Sequence, residues 1–160
     1  MDSISKIISW RATISISIAV LALLIVFDFY GLYTGTFYFL KADNYIFPIA
    51  TLVHFIFLYV LKFKIEEDEM TDAPMRTIEY MLYAAFLIYL FKTVEIIYTI
   101  ATYEEFSNYV LPGSFLPLGG LILVLHVLLL ALTLLAVHYR KRLVGEYNLD
   151  TMGQHIDSWE

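Results

Sequence analysis

Four apolar runs, each long enough to cross a bilayer, leave this chain few ways to fold. They fall at about 12–33, 45–63, 76–103 and 115–138. About 20 residues at 1.5 Å each match a hydrocarbon core roughly 30 Å thick. The sequence therefore predicts an all-α integral membrane bundle of four transmembrane helices, spanning residues 1–144, with a polar tail at 145–160. Apolar residues make up 60% of the 160 and charged ones 16%, and the mean hydropathy is +0.72, a profile that excludes an ordinary soluble domain.

The first run is interrupted only by Asp28. It is expected to stop near Gly31 to Gly35, because Thr34 to Leu40 is rich in β-branched and aromatic residues and suits an extended or interfacial stretch. Lys6 and Arg11 precede this run as they would in an export signal, but the run exceeds the roughly 7 to 15 residues of a signal and continues into Phe27-Asp-Phe-Tyr30. A retained helix is expected. Pro112, Gly113 and Pro117 punctuate the start of the fourth run, where missing backbone donors matter least.

Basic residues set the expected orientation. Lys6, Arg11, Lys62, Lys64, Arg76, Arg140, Lys141 and Arg142 share the side of the termini and the second loop, and only Lys41 lies opposite. An excess of lysine and arginine marks the cytoplasmic face, so both termini are expected there. The net charge of −6 owes much to Glu66, Glu67, Asp68 and Glu69 in that loop, and acids weigh little in the rule. Nucleic acid is not an expected partner. The absence of cysteine excludes disulfides, thiolate metal sites and thiol redox chemistry.

Polar residues at membrane depth carry the functional information, because each charge costs about 2.5 to 3.5 kcal/mol at the centre of an isolated helix. Asp28 lies about 17 positions from Arg11, and Lys92 and Glu95 lie 16 and 19 from Arg76, which puts all three at one level. Lys92 and Glu95 share a helix face with Ile88, Thr99 and Thr102. The first reading is a structural ion cluster, with Lys92 neutralised by Glu95 along its helix and by Asp28 across the bundle. The others are an ion or proton path, and contacts to another subunit.

His54 and His126 fall near the middle of the second and fourth helices. Two imidazoles at one depth on different helices suit a bis-histidine b-type haem. Against this, bulky Phe55, Leu125 and Val127 flank them and no glycine does; the ordinary reading is a histidine hydrogen-bonded across the bundle. A metal needs a third ligand, for which only Asp28 or Glu95 is at hand. His138 and His155, at the interface and in the tail, suggest no chemistry. Aromatic belts account for much of the tyrosine and phenylalanine. Tyr83 and Tyr89 read as packing first and as the wall of a lipid or quinone groove second. Gly31 and Gly35 have the small-xxx-small spacing of a close helix approach.

There is no phosphate loop, nucleophile elbow, His-Glu-x-x-His or cysteine site. The expected function is a non-catalytic accessory subunit that stabilises a larger membrane complex, surrounded by lipid and touching its neighbours in part through the C-terminal tail, since polar termini are ordered only when something ties them down. The alternatives are a b-type haem electron-transfer protein on His54 and His126, and a self-associating ion or proton channel or transporter. The orientation is tested with single cysteines at Ser3, Thr71, Asn108 and Ser158, labelled in intact cells with an impermeant reagent. Only the Asn108 site is expected to react, and labelling at Thr71 overturns the orientation.

Overall fold

The computed structural model describes residues 8–106 and 111–147. Four long helices dominate it: α1 Trp10–Asp28, α2 Ile46–Glu66, α3 Ala73–Ala101 and α4 Phe115–Tyr139. Each is long and apolar enough to cross a membrane. The chain is thus an all-α, multi-pass membrane bundle, in which each helix closes its backbone hydrogen bonds internally, as lipid requires. The helices form a ring, with α1 against α4, α4 against α3, α3 against α2 and a lighter contact between α2 and α1. Leu21, Phe57, Leu82, Tyr89 and Leu129 fill its centre.

Helix starts follow capping chemistry. Ser9 Oγ accepts the Ala12 N–H at 3.2 Å and Asp72 Oδ1 accepts that of Met75 at 2.9 Å, so each satisfies one orphan donor of a first turn. The Asp72 cap, with Pro74 in the first turn, starts α3 at Ala73, ahead of Arg76. Asp72 also pairs with Lys64 Nζ at 2.7 Å, and Glu69 pairs with the same ammonium at 2.9 Å, which lets α2 run on to Glu66 with Lys64 buried. Burial alone would raise the Asp72 carboxyl, but the Lys64 hydrogen bond and the Met75 N–H outweigh it and hold it below its usual range. Inside the helices, Thr93 and Thr133 donate to the carbonyls of Tyr89 and Leu129, each at 2.7 Å, so these buried hydroxyls need no partner from another helix.

The first helix ends at Asp28, earlier than Gly31 to Gly35. The chain turns there into an antiparallel hairpin, β1 Tyr30–Gly31 against β2 Thr36–Phe37. Gly35 sits at φ +67°, and the Gly31 carbonyl accepts the N–H of both Thr34 and Gly35. A Cβ on Gly31 would meet the Tyr38 ring at 2.5 Å. The two glycines therefore make a turn, and the close helix approach expected of them is corrected. Phe37 stacks on Phe39 at 5.8 Å and Phe29 meets Tyr45 edge-on at 5.1 Å, forming an aromatic cap over this end of the bundle. A short 3-10 turn, Ala42–Tyr45, leads into α2, and another, Tyr103–Phe106, follows α3. At the opposite end α4 finishes in a π-helical turn, Arg140–Val144, and leaves it at Gly145 with φ +106°. The tail beyond Tyr147, with His155, lies outside the described residues, as do Ser3, Lys6 and Asn108.

Candidate functional site

Asp28, Lys92 and Glu95 meet at the hairpin end. Asp28 is the last residue of α1, and Lys92 Nζ on α3 lies 3.1 Å from its Oδ1 and 3.2 Å from Glu95 Oε2. The i, i+3 spacing on α3 puts Lys92 beside Glu95, and the packed end of α1 supplies the second carboxylate. The Asp28 side chain is 8% exposed, that of Lys92 17% and that of Glu95 53%. Two carboxylates facing one ammonium leave the cluster one negative charge in excess when all are ionised. Asp28 Oδ2 is buried and has no hydrogen-bond partner among the described residues.

The cluster lines a cavity of about 810 Å³, roofed by the hairpin. Phe27, Ile88, Phe91, Ile96 and Ile122 give it apolar walls, and Thr99, one turn beyond Glu95 on α3, and His126 on α4 add polar groups. A cavity of this size, mostly apolar with a few convergent polar groups, is the usual form of a small-molecule site. Asn44 fixes the roof by donating from Nδ2 to the Tyr38 carbonyl at 2.9 Å.

Among the described residues His54 and His126 form no cross-bundle hydrogen bond. His126 Nδ1 lies 2.9 Å from the carbonyl of Ile122 on its own helix, which makes Nδ1 the donor and leaves Nε2 with the lone pair of a neutral ring. His54 is fully buried, and neither ring nitrogen has a hydrogen-bond partner among the described residues. Its ring stacks on Tyr89 at 5.9 Å, Tyr89 meets Phe47 at 5.4 Å, and Phe47 meets His126 at 5.7 Å. Two buried aromatic rings thus occupy the path between the imidazoles. A b-type haem ligated by both histidines does not fit this packing. The described residues also hold no group of three histidines or carboxylates placed for a metal. Tyr89 is a core residue, not the wall of a groove, whereas Tyr83 is exposed on one side and gives its hydroxyl to Glu79.

A second charged cluster closes the opposite end, and sequence reasoning missed it. Arg140 Nη2 donates to Glu79 Oε1 at 2.6 Å, and its Nε lies 2.6 Å from Oε2. Both side chains are almost wholly buried. The Tyr83 and Tyr147 hydroxyls also donate to this carboxylate, and Arg140 Nη1 donates to the Gly145 carbonyl at 3.0 Å. The guanidinium lies over the Tyr147 ring, 4.3 Å from its centroid. The available signal was Glu79 itself, since it is the one charged residue between Arg76 and Lys92. Glu79 and Lys92 are 13 residues apart on α3, or about 20 Å along its axis.

No family model, curated protein or solved structure matches the chain. The hairpin-end cluster is tested by charge removal. Breaking a buried pair costs about 3 to 5 kcal/mol in soluble proteins, and snorkelling or water reduces that figure in a bilayer. Lys92→Met is expected to lower the resistance of the folded bundle to denaturing detergent, and adding Asp28→Asn or Glu95→Gln is expected to restore part of it. If neither double variant recovers stability or yield, the three charges do not act as one unit.

Proposed function

We propose that the chain is a non-catalytic accessory subunit that packs in the cell membrane against a larger membrane protein, with both termini and the acidic loop in the cytoplasm. The observation that carries this reading is the lipid-side face of α3, the least buried of the four helices. Tyr80, Ala84, Leu87, Phe91, Val94 and Tyr98 all lie exposed along it. Their spacing of 4, 3, 4, 3 and 4 marks one side of the helix, and exposed Ile49, Leu52, Ile56, Tyr59 and Phe63 on α2 share it, so it is the low burial of α3 rather than the period that singles this face out.

The internal chemistry supports the non-catalytic part. Lys64, Lys92 and Arg140 each face carboxylates of the same chain. Glu79 accepts hydrogen bonds from three side chains at once, which suits an anchor more than an acid or base that must change partners. The partner is accordingly a transmembrane helix on the α3 stripe, and the polar segment after Gly145 adds a contact at the cytoplasmic surface.

A photo-activatable residue at Val94 or Tyr98, on the α3 face and away from the cavity, is expected to give one discrete protein adduct in native membranes, and the same residue at Leu23 or Val26, exposed on α1, to give none. The purified chain is expected to be colourless. Equal adducts from both helices, or only lipid adducts from α3, contradict the docking of a subunit there, and a Soret band lost on His54→Ala or His126→Ala replaces it with the haem reading.

A further inference from the structure

We propose that the hairpin-end cavity binds an amphiphile bearing a primary ammonium head, held by Asp28. Three independent observations converge there. The Asp28 side chain is more than nine-tenths buried, yet its Oδ2 has no hydrogen-bond partner among the described residues. A buried carboxylate oxygen without a donor is costly, and a ligand N–H is the group that would satisfy it. The charges lining the cavity are Asp28, Asp43 and Glu95 against Lys41 and Lys92. Three acids and two bases leave one negative charge, so the complementary ligand is a cation. Finally, the apolar walls on Phe27, Ile88, Phe91 and Ile122 continue from the charged cluster into the bundle, which suits an alkyl tail.

A primary ammonium meets these demands better than a quaternary one. It carries three donors, of which one reaches Oδ2 and another can reach Glu95 or the Nε2 lone pair of His126, whereas a trimethylammonium has no N–H to give. The head is found both in phosphatidylethanolamine and in free long-chain amines, and the shared ammonium is what the cavity recognises.

The test is retention by the full chain in mild detergent, read by native mass spectrometry. Phosphatidylethanolamine is offered against phosphatidylcholine, and dodecylammonium against dodecyltrimethylammonium. Preference for the primary ammonium of about tenfold is expected, the scale of one charge-assisted hydrogen bond. Preference in both pairs identifies the lipid head as sufficient, and preference only in the second identifies a free amine; either supports the site. Asp28→Asn leaves Lys92 paired with Glu95 and is expected to abolish the preference, while Glu66→Gln, on the exposed loop side, is expected to keep it. Thr99→Phe fills the cavity without changing a charge and is expected to lower retention of every probe severalfold. Equal retention within both pairs overturns the proposal, as does a folded Asp28→Asn chain that keeps the preference. Should Asp28→Asn fail to fold, unchanged retention by Thr99→Phe overturns it equally.

Discussion

A charge placed among apolar helices must be neutralised by a group that the fold brings to it, and this demand organises the whole bundle. α3 carries a charged anchor at each end. Lys92 reaches α1 through Asp28, and Glu79 reaches α4 through Arg140. Because the anchors are separated by about 20 Å of helix, they fix both the rotation and the height of α3 against two different neighbours. Such pairs contribute little net stability over an apolar replacement, but losing one partner is expensive. Their effect is thus to penalise every helix arrangement that parts them.

Between the anchors the core is mostly aromatic and aliphatic, with Ser17, Thr51, His54 and Thr133 also buried. Phe47, Tyr89, Phe57, Leu58 and Leu82 are fully or almost fully buried. His54 lies in this layer with its nitrogens unbonded by any described residue, packed as a ring against Tyr89. The same layer separates the two charged levels, and the buried hydroxyls of Thr51 and Thr133 bond to carbonyls of their own helices.

The number of helices was legible from the apolar runs, and the hairpin-end ions were legible because Asp28, Lys92 and Glu95 interrupt those runs where no charge belongs without a partner. The Glu79–Arg140 pair was not. Arg140 follows an apolar run among other basic residues and reads as an interfacial charge, and Glu79 lies close enough to Arg76 to read as the rim of its helix. Only the packing of α3 on α4 shows that they face each other. The hairpin was half legible: the composition of Thr34 to Leu40 spoke for extended chain, but glycines four apart serve a turn and a helix contact equally well in sequence. That both histidines fall inside apolar helices was readable too. The rings that stand between them were not, because Tyr89 and Phe47 come from two other turns of the bundle.

If the charged anchors hold the helices in register, the loop-end pair must be coupled energetically and not merely adjacent. The direct measurement is a double-mutant cycle of Glu79→Gln and Arg140→Met on the full chain in bicelles, with unfolding followed by a reversible trapping or denaturing-detergent assay. The account predicts that each single variant is destabilised and that the double variant loses less than the sum, with a coupling of about 1 to 3 kcal/mol. Additive losses, or single variants as stable as the parent chain, would contradict it.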